Sequence, residues 1–175
     1  MAGETAAGEE SAGRGVYAGL FLVTLATLMF EILLTRIFSV TLWYHFAFVA
    51  VSMAMFGMTA GALAVYLAPR WFAREHTRLA MAASAAGFGL SLVAAVLAHL
   101  AFPTESAVRL PATYLIVSIP FVFSGICVCL ALTRFPRAVS RLYAVDLAGA
   151  ALGCVALILL QIGRASCRER VCMFV

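Results

Sequence analysis

Lysine is absent from the 175 residues, and charged side chains of every kind make up only 11% of them, against about 25% in an ordinary soluble domain. That is too little charge to coat a water-exposed surface. The deficit is matched by an apolar excess: 65% of residues are hydrophobic and the mean hydropathy is +1.05. Even a 150-residue domain buries only about 70% of the surface its unfolded chain exposes, so a core cannot hide this much apolar surface. A water-soluble globular domain is excluded, and lipid must be the solvent.

Other absences narrow the chemistry. No Cys-x-x-Cys pair and no His-rich spacing argue for zinc, and the five cysteines suggest no disulfide framework: Cys127, Cys129 and Cys154 lie inside apolar runs, where free Cys behaves as a small hydrophobe. Gly87-Phe-Gly89 is no nucleotide loop, because it follows no strand. All 12 basic residues are Arg and the net charge is +4. They stand in short gaps between apolar runs, the pattern of topology signals, rather than clustering on a soluble face as nucleic-acid binders require. No nucleic-acid partner is expected.

What remains is a series of hydrophobic runs. Residues 1–15 are small and polar and cannot repay the entropy of ordering, so they are expected to form a disordered tail. A run over 16–34 follows, about 28 Å long as a helix, which matches a hydrocarbon core of about 30 Å. It is too long and too acidic in its flank for a secretory signal. Further runs cover 44–68, ending before Pro69, 79–102, 112–133 and 143–161. Pro120 and Gly125 predict a kink or an unwound turn in the fourth. The expected fold is therefore all-α: a polytopic transmembrane bundle of about five spans over 16–161. Seven arginines fall in the tail and the alternate gaps (Arg14, Arg70, Arg74, Arg78, Arg134, Arg137, Arg141), against Arg36 and Arg109 on the other side. The positive-inside rule then puts the N-terminus in the cytoplasm.

Ionisable groups inside a bilayer are costly and are functional candidates for that reason. The sequence offers Glu31, His45, His99 and Asp146, with Arg36 as a counter-charge for Glu31. Helix ends at Leu34 and Phe102 would set Glu31, His45 and His99 at one depth near the outer interface, where they could converge on a proton or a cation. Each could equally snorkel to headgroups or make one structural bond. Asp146, one turn into the fifth run, fits a helix N-terminus neutralised by Arg137 and Arg141. Gly57-x-x-x-Gly61 and Gly149-x-x-x-Gly153 place two glycines on one helix face and favour close packing. Met53, Met55 and Met58 read as core or lipid-facing, not as a metal track. No metal site and no cofactor are expected of this stretch.

Two segments carry a more specific likeness. Phe30-Glu31-Ile32-Leu33-Leu34-Thr35-Arg36 and Tyr143-Ala144-Val145-Asp146-Leu147-Ala148-Gly149-Ala150-Ala151-Leu152-Gly153, with Ser52 to Gly61 more weakly, resemble the membrane region of the integral-membrane spermidine synthase-like proteins. In that family a multi-helix N-terminal part precedes a soluble Rossmann-like aminopropyltransferase or methyltransferase-like domain. The resemblance implies that Glu31, Arg36, Asp146, Gly149 and Gly153 are recurring membrane positions and that the site is a bacterial inner (plasma) membrane. The transferase equipment is not in these residues, which hold no strand with a glycine-rich loop and no acidic pair for an adenosyl group or an ammonium. No catalysis is expected of this segment by itself.

The final residues, Ile162-Gly163-Arg164-Ala165-Ser166-Cys167-Arg168-Glu169-Arg170-Val171, resemble the translation of a standard short-read sequencing adapter, with Cys172 to Val175 read from an index. This implies that 162–175 is a non-native tail, that native protein ends at Leu160 or Gln161, and that the gene continues. Expected partners are the bilayer, the missing C-terminal part of the same chain, and a further copy in a homo-oligomer. Two other readings stand beside the family resemblance: a fragment of a polytopic transporter for a small cation or metabolite, and a non-catalytic membrane scaffold or anchor.

Overall fold

The computed structural model describes residues 13–41, 46–70, 72, 76–101 and 109–172. Five α-helices account for nearly all of them: α1 (Arg14–Thr41), α2 (Phe46–Leu67), α3 (Thr77–Ala101), α4 (Arg109–Arg134) and α5 (Val139–Cys172), with a 3-10 turn at Pro136–Ala138 before α5. All five are long and apolar enough to cross a membrane. The chain is an all-α bundle, and no strand occurs among the described residues.

Several helix limits differ from those the hydropathy pattern suggests. α1 does not stop at Leu34 but continues through Thr35, Arg36 and Ser39 to Thr41. Its hydroxyls are satisfied within the helix, Thr35 Oγ1 donating to Ile32 O at 2.8 Å and Ser39 Oγ to Arg36 O at 2.8 Å, while Arg36 stays exposed. Polar residues that find partners inside the turn do not end a helix. α5 begins four residues before Tyr143, because the 3-10 turn feeds directly into it, Ala138 N bonding Phe135 O at 3.0 Å with Phe135 buried. It continues to Cys172, so the backbone of the adapter-like residues 162–172 is helical. α4 runs unbroken through Pro120. The unwound turn expected there does not form, and the buried pyrrolidine ring packs in the bundle instead. Of the expected tail, residues 1–12 lie outside the described residues, and the helix already starts at Arg14.

Contacts between side chains fix the directions. Thr27 meets Ser124, Phe30 meets Phe121 and Phe38 meets Tyr114, so α1 and α4 are antiparallel. Gly57 lies against Ser118 and Phe121 and Gly61 against Val122 and Ile126, so α2 and α4 are parallel. Gly149 lies against Phe21 and Thr24 and Gly153 against Leu25, which makes α1 and α5 parallel as well. The result is an up-down-up-down-up bundle. Arg14, Arg70, Arg78, Arg134, Arg137 and Arg141 share one end, and Arg36 and His99 lie toward the other.

α4 is the hub. Half of its most apolar window is buried in the protein, against 17% for α5, which packs chiefly on α1. Lipid tails are as apolar as Leu, so helix association here rests on close van der Waals contact and interhelical hydrogen bonds rather than on escape from water. The sequence supplies the means: small residues where backbones meet and large ones where gaps remain. Gly87, for example, leaves the space that the Phe123 ring occupies, 2.9 Å from where a Cβ would stand.

Candidate functional site

Thr27 lies at the middle of α1 and Ser124 at the middle of α4, and their hydroxyls share a buried hydrogen bond of 2.7 Å. Thr27 Oγ1 also reaches Val23 O at 2.7 Å. This pair marks the mid-height of the bundle, and candidate groups can be placed from it by helix rise.

Glu31 is four residues beyond Thr27, about 6 Å along the axis. It is half-buried. Its phase explains why: at 100° per residue it falls within about 20° of Leu20 and Phe38, both fully buried. The carboxylate therefore lies on the inward stripe of α1, and among the described residues no hydrogen bond or ion pair reaches it. Arg36, five residues on, is turned about 140° away around the same helix and is exposed, so the two do not pair.

His99 occupies a different level. Its ring lies 5.7 Å from that of Phe38, and Phe38 makes an edge contact with Tyr114 at 5.5 Å and 75°. Phe38 is two turns beyond Glu31, about 10 Å along α1. Because α1 extends to Thr41, Glu31 and His99 do not share a depth and do not converge. The buried Nδ1 of His99 has no hydrogen-bond partner among the described residues. His45 lies outside the described residues.

Asp146 is separate again. It precedes Gly149 by three residues, and Gly149 sits against Phe21 and Thr24, so Asp146 is level with the first turns of α1, roughly 15–20 Å from Glu31 along the bundle. With α5 starting at Val139, it lies two turns inside the helix, past the four unpaired amides of the first turn. It is not an N-terminal cap. The expected constellation thus resolves into three positions: a deep carboxylate at Glu31, an aromatic-flanked imidazole at His99, and Asp146 in the α1/α5 pair.

The glycines have clear neighbours. A Cβ at Gly57 would stand 2.7 Å from Phe121 Cβ and from Ser118 O, one at Gly61 would meet Val122 O and Ile126 N, one at Gly149 would meet Thr24 Oγ1 and Phe21 O, and one at Gly153 would stand 2.6 Å from Leu25 O. At these positions the neighbouring helix comes so close, mostly through its backbone, that even a methyl group would force a shift. Sequence reasoning read Gly125 as a kink position and missed that it sits against the backbone of Met58, and it missed the Thr27–Ser124 bond. A lone small residue or hydroxyl in an apolar run carries no sign of its partner. At the arginine-rich end, Arg134 donates from Nη2 to the carbonyl of Phe72, tying α4 to the connection between α2 and α3.

Among the described residues no three His, Cys, Asp or Glu side chains group as metal ligands. No family model, curated protein or solved structure matches the chain. The structure and its hydropathy together describe a five-helix membrane bundle with one carboxylate near mid-height.

Proposed function

We propose that this bundle is the membrane-embedded N-terminal region of a spermidine synthase-like protein whose soluble transferase domain lies downstream, with the N-terminus in the cytoplasm of a bacterial inner membrane. The supporting observation is that the two helices that carry the resemblance pack against each other, although the two segments stand at different heights along them. Phe30–Arg36 lies on α1 and Tyr143–Gly153 on α5, and these helices, distant in sequence, pack side by side through Gly149 and Gly153. A family signature divided between two helices is coherent when the helices form one unit. On this reading the adapter-like 162–175 replaces native sequence, and the bundle carries no transfer step of its own.

The test is a long-read sequence of the source locus across codon 161. The expected result is further helices followed by a strand, a glycine-rich loop and paired acids; native coding of Ile162 to Val175 followed by a stop overturns the proposal. One observation favours a second reading, a transporter fragment for a small cation: Glu31 is a membrane-interior carboxylate on an inward stripe, the placement that ion pathways use. That reading expects a hydrophobic carbodiimide to label Glu31 selectively and a small cation to protect it. Absence of protection by any cation tried removes its support.

A further inference from the structure

The two membrane carboxylates, far apart in height, belong to one seam. Asp146 stands seven residues before Gly153 and falls within about 20° of it around α5, and Gly153 lies against Leu25 of α1. Glu31 stands seven residues after Thr24, within about 20° of it around α1, and the Thr24 hydroxyl lies against Gly149 of α5. Each acid therefore lies on the stripe by which its own helix meets the other. Because α1 and α5 are parallel, carrying the register upward sets Glu31 about level with Ala156 to Leu159. The seam runs from Asp146 near the arginine-bearing end, past the two glycines, to Glu31 beyond mid-height.

Both carboxylates are half-buried, and among the described residues neither takes part in a hydrogen bond or an ion pair. The charged and titratable groups around Asp146 are Arg14 and Tyr17 on α1, Arg141 and Tyr143 on α5, Arg78 on α3, and Arg134 on α4, whose Nη2 donates to Phe72. Around Glu31 they are Cys154 on α5 and, about 10 Å further along, His99 on α3; α2 and α4 carry none at that level. An ionised carboxylate held against apolar helices is costly in a bilayer. A proton removes that charge, and water admitted to the seam screens it. This seam is also the one that opens with least loss of contact: α5 is the least buried of the five spans, at 17% of its window, and packs chiefly on α1. Its displacement leaves α4 in place against α1, α2 and α3.

We propose that the α1/α5 seam is a proton-sensitive joint: with Glu31 and Asp146 protonated the helices pack through Gly149 and Gly153, and loss of the protons draws water in and moves α5 away from α1. Each proton adds to a carboxylate oxygen from water and returns to water, so the joint needs no other ligand. It depends on neither the family reading nor the cation-transport reading.

Spin labels at Leu33→Cys on α1 and Ile158→Cys on α5, both exposed and about level, report the joint by pulsed electron–electron distance measurement in lipid nanodiscs, in the full chain with its five native cysteines replaced by alanine. Phe56→Cys on α2 and Ile119→Cys on α4, also exposed, form the reference pair, since neither helix contains an acid. Between about pH 4, near the value of a free carboxyl, and about pH 9, the first distance is expected to grow by about 3 Å, the width of one water of ~30 Å³, while the reference distance stays constant. Glu31→Gln combined with Asp146→Asn keeps the short distance throughout. A first distance that does not change with pH, a change that survives in the double variant, or an equal change in the reference pair overturns the proposal. Should the double variant not fold, Glu31→Gln and Asp146→Asn are measured singly, each expected to shrink the change, and a full change in both overturns it.

Discussion

Substituting alanine for two glycines separates packing from helix propensity in this bundle. Gly57 and Gly89 are both helical, on α2 and α3, so each gains a similar ~0.5–1 kcal/mol when alanine replaces glycine. At Gly89 the new Cβ meets nothing within 4 Å; at Gly57 it would lie 2.7 Å from both Phe121 Cβ and Ser118 O, where ordinary contact begins at 3.4 Å. α2 and α4 must then part by about 0.7 Å, and a gap of that size forfeits about a quarter to a half of each contact's attraction. Because the hub helix α4 is also held by α1 and α3, the strain cannot relax freely, and overpacking of this kind costs about 1–3 kcal/mol. The propensity gain is common to both variants and cancels. Reversible unfolding in mixed micelles, titrated with dodecyl sulfate and followed by the fluorescence of the two tryptophans, is therefore expected to rank Gly57→Ala about 1–3 kcal/mol below Gly89→Ala. Equal stabilities would refute the backbone-to-backbone contact of α2 with α4.

Three further outcomes follow from named contacts. A double-mutant cycle with Thr27→Val and Ser124→Ala should return a coupling of about 0.6 kcal/mol, and no more than about 1.7; zero coupling would mean that the hydroxyls do not bond across α1 and α4. Phe38→Ala removes a fully buried ring that touches both His99 and Tyr114. Its expected cost in the same titration is about 1–3 kcal/mol rather than the ~3–5 of a water-soluble core, because a side chain leaving this core enters lipid, not water. Glu31→Leu should stabilise the bundle by about 1–3 kcal/mol, since it removes a carboxylate that has no partner among the described residues and stands about 6 Å from mid-height. A loss of stability would show that Glu31 makes a structural bond.

The fold class was legible because each span is a local property. A run of about 20 apolar residues between Arg-bearing gaps satisfies the bilayer's length and its demand for internal backbone hydrogen bonds, whatever the other helices do. Boundaries were less legible at α1, where Thr35, Arg36 and Ser39 look like an exit but sit in helix, the Thr35 and Ser39 hydroxyls bonding back one turn and Arg36 staying exposed. That extension decided the candidate site. It moved Glu31 from a helix end to near mid-height and separated it from His99.

By itself, the sequence determined that the chain lives in lipid, how many times it can cross, and which residues are expensive to hold there, since these depend only on composition and run length. The tertiary structure alone decided that α4 is the hub, that Gly125 answers Met58, that Thr27 finds Ser124, and that α1 pairs with α5. Those facts depend on the rotation and register of one helix against another. Such relations are set by the fit of side chains far apart in sequence, and in a bilayer no hydrophobic stripe records them because every face of a helix is apolar.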